Sequence, residues 1–246
     1  MTERRIALVT GASGSIGGAC ARELARRGYG VGVHYRQKAE HAEAVIAEIQ
    51  AAGGEAWPLK FDVVDPEAID SSVRQFIKER GRLDALVAAA GIVRSQMIAL
   101  TGPAELDELL AVNLRGAYLT AKLASKAMLR NYFGRIVLFG SIVGRRGNAG
   151  QSAYAMSKAG LEGLAKSLAR ELGARQITVN LVAPGMIESS MTKDLTNEQR
   201  EFILQHVPLQ RMGVAEDVAA LVGFLCSEEA GYISGTIVPV DGGLGI

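Results

Sequence analysis

Cysteine, tryptophan, proline and net charge are all scarce in this chain: two Cys, one Trp and six Pro in 246 residues, with a formal charge of +1. Cys20 and Cys226 both fall in stretches of helical patterning, which fits buried thiols in a reducing compartment rather than a disulfide framework. A near-neutral balance gives no reason to expect nucleic acid or a membrane surface as the main partner. No metal site is expected. The longest apolar stretch, around Leu86 to Val93, is far short of a membrane span. Met1 to Arg5 followed by Ile6 to Val9 has the basic-then-apolar order of a signal peptide, but the apolar run is short and leads into a Gly/Ser turn. The cytoplasm is the expected location. No Pro/Ser-rich linker, low-complexity tract or internal repeat divides the chain, so a single domain over residues 1–246 is expected.

What the chain does have is alternation. Short apolar runs rich in Val and Ile stand at Ile6–Thr10, Val31–Tyr35, Ala56–Phe61, Ala85–Ala89, Arg135–Phe139, Thr178–Ala183 and Ile237–Val240. Amphipathic stretches with helical spacing lie between most of them, as at Ile16–Arg27, Ala39–Ala51, Pro66–Glu79 and Tyr154–Leu172. Asp65-Pro66-Glu67 reads as a helix start, with an N-cap acid and proline in the first turn. The pattern predicts an α/β fold, a parallel sheet with helices on both faces and strands buried on both sides. The least regular part, Glu188 to Gly213, is either a lid-like segment or an ordinary surface excursion.

The first strand runs into Thr10-Gly11-Ala12-Ser13-Gly14-Ser15-Ile16-Gly17 and then a helix. Glycines there let backbone approach a pyrophosphate, and a helix N-terminus offers free N–H groups; Gly11, Ser13, Ser15, Ile16 and Gly17 are the candidate contacts. After the second strand, dinucleotide-binding chains that use NAD carry an acid. Here the residues are Val33-His34-Tyr35-Arg36-Gln37-Lys38, without one, and the Arg36 guanidinium suits a 2′-phosphate. NADPH is therefore expected over NADH. Asp62-Val63, after the third strand, either reaches the adenine or caps a turn. Farther on, Tyr154 and Lys158 lie one helical turn apart, roughly 6 Å along the axis. An ammonium that close to a phenol is expected to draw the tyrosine pKa below its usual value of about 10, which makes a general acid.

Several segments together carry a family resemblance. They are Gly134-Arg135-Ile136-Val137 leading to Ser141, Gly147 to Tyr154 with Lys158, Asn180 to Thr192, and the closing Val240-Asp241-Gly242-Gly243. The chain resembles the short-chain dehydrogenase/reductases over essentially its whole length, and among them the 3-oxoacyl-[acyl-carrier-protein] reductases. The resemblance implies a single Rossmann-like, doubly wound domain with a seven-stranded parallel sheet. It implies Tyr154 as proton donor, Ser141 polarising the carbonyl oxygen, Lys158 holding the nicotinamide ribose and lowering the tyrosine pKa, and Asn113 supporting a water relay. Pro184, Gly185, Ile187 and Ser189 match the segment that packs on the nicotinamide, and Ala90 and Gly91 belong to the cofactor floor. Gln151 falls in the substrate-side approach to the tyrosine. Arg130 and Arg170 fall where an acidic acyl carrier protein would dock, and the assembly implied is a homotetramer. The same catalytic set serves sugars, steroids and small alcohols in relatives, and a cofactor-binding partner subunit is a further reading.

Two departures stand against the pattern. Ser15 replaces a glycine of the fingerprint, where a serine can still cap the helix and offer a hydroxyl to a phosphate, and Gly14 stands where these reductases often carry arginine. Ala88-Ala89 replaces a pair of asparagines that brace the central sheet, and the lost hydrogen bonds are each worth about 1 kcal/mol.

Overall fold

The computed structural model describes residues 4–189, 192 and 196–246. Seven strands, β1 (Ile6–Thr10), β2 (Gly30–Tyr35), β3 (Glu55–Lys60), β4 (Ala85–Ala88), β5 (Gly134–Phe139), β6 (Ile177–Pro184) and β7 (Ile237–Val240), form one sheet in the order β3-β2-β1-β4-β5-β6-β7. Every pairing is parallel. The strand runs legible in the sequence match these to within a residue at either end. The expectation of two-sided burial holds for the inner strands. It fails for β3, whose exposure alternates because it is an edge strand, and for the partly exposed β7 at the other edge.

Period-two alternation sends neighbouring strand residues to opposite faces. Ala7, Val9, Ala85 and Val87 pack under α1 (Ser15–Arg26), α2 (Ala39–Ala51) and, later in the chain, a helix at Ala215–Leu225. Leu8, Leu86 and Ala88 pack on the other face under α3 (Pro66–Arg80) and helices at Gly116–Asn131 and Ser152–Leu172. In chain order the remaining helices are α4 (Pro103–Leu110), α5 (Gly116–Asn131), α6 (Ile142–Arg146), α7 (Ser152–Leu172), α8 (Asn197–His206) and α9 (Ala215–Leu225). Between α4 and α5 the residues Ala111–Arg115 form a π-helical turn, which inserts Asn113 into the core side of the helix. The Asp65 cap is present: its carboxylate accepts from the Glu67 and Ala68 N–H groups, with Pro66 in the first turn. Among the described residues no helix is long and apolar enough to cross a membrane.

The 188–213 segment is pinned at its base. Ile187 bridges Gly213, with the Glu188 N–H donating to Gly213 O at 2.8 Å and the Gly213 N–H to Met186 O at 2.9 Å. Residues 190, 191 and 193–195 of that segment lie outside the described residues.

Candidate active site

The sheet order reverses direction between β1 and β4, and open α/β sheets bind ligands in the crevice outside the carboxyl ends of the strands at such a reversal. The sequence candidates fall at those ends: Gly11 to Gly17 after β1, Arg36 after β2, Asp62 and Val63 after β3, Ala90 and Gly91 after β4, Ser141 after β5, Gly185 to Ser189 after β6.

The glycine turn is tightly fitted. Gly11 has φ +68°, and a β-carbon there would lie 2.8 Å from the Ala90 backbone. One on Gly17 would lie 2.3 Å from Gly11 O, so α1 can start this close to the turn only with glycine. The cap residue of α1 is Gly14, extended at φ −92°, and Ser15 is already the first helical residue. The expectation that Ser15 caps the helix is therefore corrected: a residue inside the first turn is past the position whose side chain reaches back to N–H groups. The N–H groups of that first turn have no partner within the helix and are left to face a ligand. Beside it the Ala90 N–H donates to Thr10 Oγ1 at 3.2 Å, one tie between β1 and β4 in the region where Ala88-Ala89 offers no side-chain hydrogen bond.

On the adenine side, Arg36 lies 3.7 Å from an Asp62 carboxylate oxygen, so these two candidates face each other. Asp62 also accepts from the Val64 N–H at 3.1 Å, and Val63 is buried in the core. Of the nicotinamide-side candidates, Pro184 ends β6, and the Gly185 N–H donates to Val240 O at 2.9 Å. A β-carbon on Gly185 would meet Asp241 at 2.6 Å. Ile187 turns its side chain into the core with Val218 and Ala219. The Ser189 N–H donates to Thr192 Oγ1 at 2.9 Å.

The catalytic candidates converge. Ser141 caps α6, accepting from the Val143 N–H at 3.1 Å, and its hydroxyl also hydrogen-bonds the Tyr154 phenol. Lys158 is buried, with its Nζ donating to Phe139 O at 2.9 Å and lying 5.8 Å from the centre of the Tyr154 ring. Asn113 is locked by the π-turn: Oδ1 accepts from the Ile92 N–H, and Nδ2 donates to Ile92 O and to Ser157 Oγ at 3.1 Å. Ser157 in turn donates to Tyr154 O. Gly91 leaves the gap between them; a β-carbon there would sit 3.1 Å from Asn113 Oδ1 and 3.3 Å from Lys158 Nζ.

One electrostatic expectation is overturned. Tyr154 is not drawn down by Lys158; burial pushes it above its ordinary value, and only the Ser141 hydrogen bond opposes the rise. The ammonium is spent on Phe139 O, and burial pushes Lys158 itself down to about 8. At neutral pH the site therefore holds a protonated phenol beside a lysine that is still mostly charged.

Gln151 does not stand alone. Its Nε2 donates to Ser95 Oγ at 3.0 Å, its Oε1 accepts from Asn148, and Gly150 O accepts from the Gln96 N–H at 2.7 Å. The loop after α6 and the loop after β4 are thus clasped, beside the exposed Met97, Ile98 and Leu100. Arg130 and Arg170 are exposed near the carboxyl ends of α5 and α7, away from this cluster in the chain. Cys20 and Cys226 are free and buried, with burial pushing the Cys226 thiol up to about 12. Among the described residues no group of three His, Cys, Asp or Glu is placed to hold a metal.

Sequence reasoning passed over His34. It is 2% exposed, its Nδ1 accepts from the Gly11 N–H at 3.0 Å, and its Nε2 lies 3.0 Å from Phe61 O. The available signal was a lone imidazole in an otherwise apolar strand beside the glycine turn.

Residues 11–245 match a family profile described as enoyl-(acyl carrier protein) reductase. The chain is 42% identical over 244 residues to a 3-oxoacyl-[acyl-carrier-protein] reductase FabG of Staphylococcus aureus, covering 99% of each. It is 43% identical over 242 residues to the protein of that name from Escherichia coli, covering 98% of each. Among solved structures, a short-chain dehydrogenase/reductase of Serratia marcescens carrying two substitutions superposes with a TM-score of 0.92 at 35% identity, covering 98% of both chains. Doubly wound sheet, glycine turn, clustered Ser, Tyr and Lys, and full-length relatives lead to one assignment: the chain belongs to the short-chain dehydrogenase/reductase family of oxidoreductases.

Proposed function

We propose that the chain reduces a 3-oxoacyl thioester, carried by an acyl carrier protein, to the 3-hydroxyacyl thioester with NADPH, in the cytoplasm. The observation that carries this reading is the convergence of Ser141, Tyr154, Lys158 and Asn113 beside Gly91, one residue from the Ala90 backbone on which the glycine turn packs. The names of the two full-length relatives support the substrate class.

The crevice suits a dinucleotide: the contacts at Gly11 and Gly17 leave room for backbone only, and the first turn of α1 offers its N–H groups to a pyrophosphate. Ser13, Ser15, Ile16 and Gly17 would hold the phosphates, Arg36 a 2′-phosphate, Asp62 and Val63 the adenine. Ala90 and Gly91 would floor the site, while Pro184, Gly185, Ile187 and Ser189 would back the nicotinamide. When bound, NADPH supplies the hydride that reduces the carbonyl carbon. Tyr154 donates its proton to the carbonyl oxygen, a role its raised pKa favours, because the phenol is protonated at neutral pH. Ser141 donates a hydrogen bond to the same oxygen as charge builds on it. Lys158 holds the nicotinamide ribose, and Asn113 keeps a path by which the phenol regains its proton from solvent. Gln151 and the Met97, Ile98, Leu100 lip border the acyl chain. Exposed Arg130 and Arg170 meet the acidic carrier.

The test is NADPH oxidation with carrier-bound and small-thioester acetoacetyl substrates. Tyr154→Phe is expected to lose about 10²–10⁴-fold in rate on both. Charge reversal at Arg130 and Arg170 is expected to raise the Michaelis constant for the carrier-bound substrate alone; equal effects on both substrates would remove the docking role. A second reading, reduction of an enoyl thioester, is favoured by the family profile's description. Turnover of a crotonyl thioester without turnover of acetoacetyl would select it.

A further inference from the structure

We propose that His34 is a positioning residue for the cofactor, an imidazole strut that fixes the glycine turn against the adenine-side end of β3. This rests on the reading that the crevice takes a nicotinamide dinucleotide.

Three walls of the crevice meet at this ring. Regular pairing of β1 with β2 ends at Val9 and Val33. Beyond it, His34 O accepts from the Ala12 N–H at 2.9 Å, and Nδ1 accepts from the Gly11 N–H at 3.0 Å. The first two N–H groups of the turn are thereby consumed, which orients the turn so that the next ones, at the head of α1, face outward. Because Nδ1 accepts, the ring proton sits on Nε2, and that N–H donates to Phe61 O. The ring also lies on the Phe61 ring, with centroids 3.9 Å apart. Phe61 immediately precedes Asp62 and Val63, and Arg36 follows His34 by two residues. One side chain therefore sets the spacing among the phosphate cradle, the adenine floor and the 2′-phosphate arginine.

A buried histidine is more often just a satisfied core group, and that rival makes a different prediction. A core group's removal lowers stability and leaves affinity alone. This ring bonds Gly11, a residue in the left-handed region that no regular ladder holds in place. A leucine in its place leaves the Gly11 N–H without its acceptor and frees the turn to rotate.

The experiment measures dissociation constants of NADPH and NADH, by fluorescence titration, for wild type and variants, alongside Tm. His34→Leu is expected to weaken both cofactors by about tenfold or more, since both share the pyrophosphate. In turnover, the Michaelis constant for NADPH should rise by more than kcat falls. His34→Asn retains a carbonyl acceptor for Gly11 but has no group to reach Phe61 O, and is expected to recover part of the affinity that the apolar variant loses. Arg36→Ala, by contrast, should weaken NADPH alone. Val73→Ala, a cavity under α3 in the layer that also holds Phe61 but away from the glycine turn, serves as the destabilised control with unaltered affinity. If His34→Leu is insoluble, His34→Val is measured in its place. Affinity within twofold of wild type in the apolar variant, with a Tm loss like that of Val73→Ala, overturns the proposal. So does an asparagine variant as weak as the apolar one. A wild-type chain that binds neither dinucleotide overturns the cofactor reading itself, and this proposal with it.

Discussion

Lys158 is a cation placed where a cation is costly. It is buried, its Nζ donates to Phe139 O, and burial brings its pKa from 10.5 down to about 8. Between those two values the unfolded chain holds a proton that the folded chain has released, so stability climbs with pH across the window. Below about pH 8 the folded protein carries the buried charge at full cost. Lys158→Met is therefore expected to be more stable than wild type at pH 7, by about 1–2 kcal/mol, with the gain shrinking as pH rises from about 8 toward 10.5. Activity should run the other way, with kcat/KM falling above about pH 8 as the ammonium proposed to hold the ribose loses its proton. Paired denaturation and rate profiles over that range check both signs. A rate that stays flat to pH 10 would remove the lysine's charge from the mechanism.

At the scale of elements, α3 and the π-turn teach opposite lessons. The start of α3 is written locally: Asp65 accepts two N–H groups, Pro66 presets the first turn, and Gly81 closes the helix in the left-handed region. Asp65→Ala is expected to lose about 1 kcal/mol in chemical denaturation with no change in kcat/KM, because the Asp65 carboxylate ties the first turn of α3 through the Glu67 and Ala68 N–H groups. A loss of activity at that position would mean that α3 transmits strain to the site. The Ala111–Arg115 turn has no such local signature. Its extra residue is accommodated because Asn113 gains three hydrogen bonds, two to Ile92 and one to Ser157, across more than twenty residues of chain. Resemblance pointed to Asn113, but propensity alone did not. The first turn of α1 lies between these cases: the glycines announced a turn, yet the cap fell on Gly14 because Gly17 must nest against Gly11 O.

For the whole molecule, two surfaces bear on assembly. Leu110, Leu114, Tyr118 and Leu164 line an apolar groove of about 560 Å³ between α4, α5 and α7, rimmed by Asp107 and Arg115. At the far edge of the sheet, β7 pairs only with β6 among the described residues and is partly exposed, and Ile246 beyond it lies in the open. Two distinct isologous contacts are what a closed tetramer of two-fold symmetry uses. We accordingly propose a homotetramer, and Tyr118→Glu, at a half-exposed groove position, should split it into smaller species in sedimentation. A wild-type chain that sediments as a monomer would remove this assembly.

The sequence alone determined the alternation of strand and helix, because period-two and period-3.6 burial are local properties of neighbouring residues. It likewise determined the glycine turn and the Tyr154–Lys158 spacing, since both lie within one turn of one element. Only the tertiary structure decided the rest. Sheet order set which strand ends share the crevice, and so brought Arg36 to Asp62, Ser141 to Tyr154 and the clasp of Gln151 to Ser95. Burial, a property of the packed whole, raised Tyr154 where spacing predicted a fall. His34 became visible only when Gly11 and Phe61, distant along the chain, closed on its two nitrogens.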